Sequence, residues 1–284
     1  MKLAVSNIAW APADRKEAYA LLRAHGVRGL EIAPALFFDR AADPFIPDDV
    51  EAERALAAMR EADLALVSMQ SLLFGVEGAA LFEGGDAQDR FCSAMLRAID
   101  LAGRFSIGNL VFGSPRQRNI PDGVSVEAAE AIAVPIFRRL GDAAGRAGTK
   151  LGIEFNPAAY GTNFLNDVDA AAAFVERVDH AAVTLILDLG AMHMNGEFAR
   201  IGEVAASYAD LISHVHLSEP RLGPAPASAA QAATVLSAMT NAGYPGWLSI
   251  EMKPQPKLGL AALDDALSRL VEATDLAQKR VAAT

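Results

Sequence analysis

Eight short apolar runs rich in β-branched residues recur along this chain: Leu3 to Val5, Gly29 to Ile32, Leu64 to Met69, Asn109 to Phe112, Leu151 to Phe155, Val183 to Leu187, Ile212 to Leu217 and Leu248 to Ile250. Between most of them lie stretches with three- and four-residue spacing, such as Leu96, Ile99, Asp100 and Gly103, or Ile132, Ile136, Phe137 and Leu140, the period of a helix. Strand therefore alternates with helix. Strands apolar nearly end to end belong where both faces are covered, as in a parallel sheet inside a ring of helices. Eight such units predict a closed (β/α)8 barrel, an α/β fold, formed by residues 1–284 as a single domain.

An open, doubly wound sheet is the alternative. Its phosphate-binding Gly-x-Gly-x-x-Gly turn is missing after the first strand, which continues Ser6-Asn7-Ile8-Ala9-Trp10. No linker or low-complexity tract interrupts the pattern. The Pro-rich stretch from Glu219 to Pro226 follows a strand and reads as a shaped loop rather than a boundary. The tail after Ala277 is expected to fray.

A hydrophobic fraction of 52% over 284 residues suffices for a large core. The net charge of -10 repels phosphate backbones and anionic lipid, so nucleic acid and membrane are excluded as partners. One cysteine, Cys92, has no internal partner; Phe91, Met95 and Leu96 beside it predict the core face of a helix and an inert thiol. The N-terminus enters a strand without a basic segment, and no apolar run reaches eighteen residues, so a soluble, cytoplasmic protein is expected. Homo-oligomerisation is left open.

In such a barrel, side chains at the carboxyl ends of the strands converge on one mouth. Four consecutive strands end in polar residues suited to chemistry: Glu154 in Gly152-Ile153-Glu154-Phe155, Asp188 in Ile186-Leu187-Asp188, His216 in His214-Val215-His216-Leu217, and Glu251 in Ser249-Ile250-Glu251. Successive intervals of 34, 28 and 35 residues each match one strand-helix unit. Any one of these acids alone reads as the cap of the next helix, and a single histidine as a core residue. Together, three carboxylates in a partly desolvated mouth repel one another unless a cation offsets them. Three carboxylates and one imidazole suit a single divalent ion such as Mn2+, Mg2+ or Co2+. His214 shares a strand face with His216, so spacing leaves the choice between them open.

These strand ends, with Gly29-Leu30-Glu31-Ile32-Ala33-Pro34 and Tyr160-Gly161-Thr162-Asn163-Phe164-Leu165, resemble the xylose isomerase-like superfamily of TIM-barrel sugar isomerases and epimerases over nearly the whole chain. The resemblance to its ketose 3-epimerase branch implies metal ligation by Glu154, Asp188, His216 and Glu251, which selects His216 over His214. It also implies that Glu154 and Glu251 act as acid and base, and that His193 and Arg221 contact substrate oxygens. The activity it implies is metal-dependent isomerisation or epimerisation of a small sugar or sugar-like polyol.

Weaker candidates surround this set. Glu31 could reach a sugar hydroxyl, cap a helix or stand behind a ligand. Gln70, Ser114 and Arg118 follow the third and fourth strands; Arg118 reads either as a holder of a substrate anion or as a solvated loop residue. Trp10, Phe37, Phe38 and Phe74 read as an apolar wall or as core. His25 and His180 lie near helix ends and read as structural. The competing functions are a lyase of the inosose dehydratase type and a non-catalytic sugar-binding barrel. An endonuclease of the apurinic type is opposed by the acidic charge and by Gln70 and Gly113, which stand where its further metal ligands would come from.

Overall fold

All eight apolar runs are strands in the computed structural model, which describes residues 1–281. They are β1 (Lys2–Ser6), β2 (Gly29–Ile32), β3 (Ala65–Met69), β4 (Asn109–Phe112), β5 (Lys150–Glu154), β6 (Val183–Asp188), β7 (Ile212–Ser218) and β8 (Trp247–Glu251). They follow one another around a closed barrel in chain order, a (β/α)8 TIM barrel. The helices between them are α1 (Arg15–Ala24), α2 (Pro34–Phe37), α3 (Asp49–Glu61), α4 (Gly85–Phe105), α5 (Val126–Ala147), α6 (Val168–Val178), α7 (Leu189–Met194), α8 (Ile201–Tyr208) and α9 (Ala229–Asn241), with α10 (Ala261–Val281) last. Several begin as their sequences dictate. Asp48, Ser125, Asp167 and Ser228 each accept a hydrogen bond from the backbone N–H three residues on, satisfying one of the donors a helix start leaves free.

Two compact units make up the chain, Met1–Val67 with Asp188–Thr284, and Ser68–Leu187; the divisions fall inside β3 and β6. In the first, β7, β8, β1 and β2 pair in parallel, with His216 opposite Ser249, Ser218 opposite Glu251, and Ser6 opposite Glu31. Because side chains alternate faces, Ala4, Ser6, Gly29, Glu31, Ser249, Glu251, His214, His216 and Ser218 share one face. A Cβ on Gly29 would come within 2.7 Å of both Ala4 and the Trp247 ring.

In the second unit β4, β5 and β6 pair in parallel, and their outer faces meet α4, α5 and α6 through phenylalanine. Phe137 on α5 packs against Phe91, Phe112 and Phe174 at ring distances of 6.5, 5.2 and 5.4 Å. Phe164 continues the chain of rings to Phe82. Phe137→Ala would leave a cavity that costs about 3–5 kcal/mol. Chemical denaturation checks this: the midpoint is expected to fall at unchanged slope, and an unchanged midpoint would contradict the packing.

Three expectations about helix faces are corrected. Leu96 is 42% exposed and Ile132 is 38% exposed, because α4 and α5 turn their buried stripes through Phe91, Met95 and Ile99, and through Ile136, Phe137 and Leu140. Cys92 consequently lies half-buried at the edge of the α4 stripe rather than on it, and burial pushes its thiol up. The tail does not fray after Ala277, since α10 continues through Val281 with Ala277 buried; residues 282–284 lie outside the described residues. No helix among the described residues is long and apolar enough to cross a membrane.

Candidate active site

Parallel strands aim their last inward side chains the same way, and the first unit gathers three of the expected residues at these ends. His216 is fully buried, and its Nδ1 lies 3.6 Å from Asp188 Oδ2 and 3.3 Å from Glu251 Oε2. Asp188 and Glu251 are each more than nine-tenths buried. One ligand-type atom from each of these residues lies within 4.8 Å of the others.

Asp188 is held at both oxygens. Its Oδ1 accepts the Ala191 N–H at 2.5 Å, capping α7, and its Oδ2 accepts the Ser218 hydroxyl at 2.6 Å. Ser218 in turn accepts the Gly190 N–H at 2.8 Å. The capping role expected of a strand-end acid is therefore real, yet it occupies one oxygen and leaves the other facing His216. Ser218 was not singled out from sequence. The signal was present: it continues the two-residue period of His214 and His216.

Behind His216 lies Glu31, fully buried. Its Oε2 sits 3.1 Å from His214 Nε2 and 3.2 Å from His216 Nε2. Burial pushes the Glu31 carboxyl up, but the charges of His216 and His214 and the hydrogen bonds of both rings outweigh it, holding the group well below the usual carboxylate range. Two nitrogens of one ring thus face two different sets of carboxylates.

Glu154 ends β5 in the second unit. Its main-chain oxygen accepts Arg118 Nη1 at 2.7 Å, and its Oε2 accepts Asn156 Nδ2 at 3.2 Å. Gly113, just past β4, leaves the space this carboxylate fills; a Cβ there would collide with Glu154 Oε2. Arg118 is not a solvated loop residue. A short 3-10 turn, Pro115–Arg118, folds it inward until it is fully buried, 5.8 Å over the Phe112 ring. Burial pulls its guanidinium down to about 10 against the opposing charge of Glu154, so it remains charged at neutral pH.

His193, half-buried, stacks on Phe198 at 4.1 Å and lies 2.6 Å from the Gln231 side-chain amide. Both line a small pocket with Leu217, Ser218 and Glu219. Arg221 is exposed with a left-handed backbone, φ 59°, in the loop after β7. That loop is shaped as expected: Glu219 accepts the Ala227 N–H, and Leu222 accepts that of Lys253. Gln70 is buried at the end of β3, and Ser114 is half-buried. Trp10, Phe37 and Phe38 are core, whereas Phe74 is 65% exposed and belongs to no apolar wall of the core. His25 and His180 pair with Asp264 and Asp142 on neighbouring helices.

Comparison with known proteins places the fold. A curated relative, named "Putative hydroxypyruvate isomerase", from Streptomyces coelicolor, is 27% identical over 73% of this chain and 76% of its own. Among solved structures, L-ribulose 3-epimerase superposes with a TM-score of 0.75 at 17% identity, covering 99% of this chain and 97% of that one. The 3-keto-D-glucoside 4-epimerase of E. coli gives 0.74 at 17% identity, covering 95% and 98%. D-psicose 3-epimerase of Clostridium cellulolyticum, solved with D-tagatose, gives 0.73 at 16% identity, covering 98% and 99%. At such identities the structures establish the fold alone. The model of the xylose isomerase-like TIM barrel matches residues 19–272, and the chain belongs to that family.

Proposed function

We propose that this protein is a divalent-metal-dependent isomerase or epimerase of a small sugar or sugar-like polyol, with Glu154, Asp188, His216 and Glu251 as the metal ligands. The observation that carries this reading is the convergence of two carboxylates on the Nδ1 of one buried imidazole. Oxygen and imidazole donors without thiolate suit Mn2+, Mg2+ or Co2+. Glu154, which ends β5 in the second unit, is the fourth ligand in this reading.

A cation held there supplies positive charge where negative charge develops on neighbouring substrate oxygens. The chain's own residues do the rest. One of Glu154 and Glu251 takes the proton from the carbon beside the substrate carbonyl. The other returns a proton to the opposite face of that carbon in epimerisation; in isomerisation the proton goes to the adjacent carbon. His193, Arg221 and Gln70 contact substrate oxygens in this reading. Arg118 braces the main chain of Glu154, and Glu31 stands behind His216. The acidic chain takes a small-molecule partner, and neither nucleic acid nor a membrane.

Mn2+-dependent uptake of solvent deuterium, screened over ketoses, inososes and hydroxypyruvate, tests the proposal. Exchange at the carbon beside the carbonyl is expected for at least one of them. Metal binding without exchange in any would remove the isomerase reading. Gly113→Ala gives a second check, since its Cβ would collide with Glu154 Oε2 and push the carboxylate aside by about an ångström. A displacement of that order costs about 100-fold in rate, with the melting temperature little changed; full exchange in this variant would contradict the placement of Glu154.

A further inference from the structure

We propose that Glu31 is a positioning residue that decides which nitrogen of His216 is offered to the cation. The inference rests on the metal-site reading above and adds to it the origin of the imidazole's orientation. His216 has two nitrogens in two environments. Nε2 faces Glu31 Oε2 at 3.2 Å, while Nδ1 faces Asp188 and Glu251 at 3.6 and 3.3 Å. A neutral imidazole carries one proton, and a buried carboxylate held against one nitrogen favours the proton there.

Glu31 is suited to be that acceptor. It is fully buried and its Oε2 also faces His214 Nε2 at 3.1 Å, so water does not dilute its charge and a second ring fixes its rotamer. With the His216 proton on Nε2, the Nδ1 lone pair points at Asp188 and Glu251, where a cation is to be shared. A carboxylate behind a ligating histidine fixes tautomer and ring plane and raises the basicity of the free nitrogen. Ser6, a small residue, lies opposite Glu31 on β1.

Glu31→Gln tests this with two readouts besides activity. Long-range 1H–15N correlation of the histidine rings, recorded on metal-free protein at mildly alkaline pH, is expected to show the His216 proton on Nε2 in the wild type. The variant is expected to populate both tautomers. Titration with Mn2+ is expected to show binding weakened by about 10- to 100-fold. Should Glu31→Gln fail to fold, Glu31→Asp keeps the charge but withdraws it by one methylene, and the same two shifts are expected at smaller size.

An unchanged tautomer and unchanged Mn2+ affinity in a variant whose melting temperature falls would overturn the proposal and leave Glu31 a packing residue. A wild type that binds no Mn2+, yet whose His216 tautomer responds to Glu31→Gln, would instead sink the metal-site reading while upholding the tautomer assignment. The two failures are therefore distinguishable.

Discussion

Glu154→Gln and Glu251→Gln are each expected to lower solvent deuterium exchange by about 100- to 10,000-fold, the range typical of losing a positioned acid or base. Gln keeps the shape and the hydrogen-bonding oxygen but can no longer take a proton. For Glu154 the supports that hold the residue are untouched: Arg118 grips its main-chain oxygen, and Asn156 Nδ2 can still donate to the remaining amide oxygen. The double variant is expected to lose little more than either single one, because residues acting as one unit are not additive. Circular dichroism should show the folds intact. Turnover within a few-fold of the wild type in both variants would remove these carboxylates from the chemistry.

Added Mn2+ is expected to raise the melting temperature by several degrees, since ligand at 100 times its dissociation constant contributes about 2.7 kcal/mol. The physical source is the arrangement around His216, where Asp188 and Glu251 are both mostly buried beside one another's charge. Chelator should reverse the gain. Asp188→Asn is expected to lose the Mn2+ response while keeping its metal-free melting temperature, because Asn still accepts at the α7 cap and one like charge is gone from the cluster. A wild type indifferent to Mn2+, Mg2+ and Co2+ would contradict the proposal, and a non-catalytic barrel would then be the better description.

The strands were legible because a strand covered on both faces must be apolar throughout, and such runs admit few other readings. Asp188, His216 and Glu251 were legible as strand-end residues because strand ends of this fold share one direction. Single-residue detail was less so. That Asp188 serves both as helix cap and as a neighbour of His216 depends on Ser218 taking its second oxygen, a contact between two strands that no local pattern specifies. Arg118 looked solvated because its composition and neighbours are those of a loop; the 3-10 turn that folds it under depends on Phe112 and Glu154, which lie elsewhere in the chain. Leu96 and Ile132 share the helical period of core residues yet sit at the stripe edge, since period alone does not give the stripe's width. Glu31 offered three roles from sequence, and only its burial behind two histidines points to one of them.

The central claim is that His216 and its carboxylate neighbours hold one cation. Electron paramagnetic resonance of the protein titrated with Mn2+ tests it most directly. One tightly bound ion per chain is expected, carrying the nitrogen coupling of a single imidazole that disappears in His216→Gln. No bound ion, or a bound ion whose nitrogen coupling survives that substitution, would contradict it.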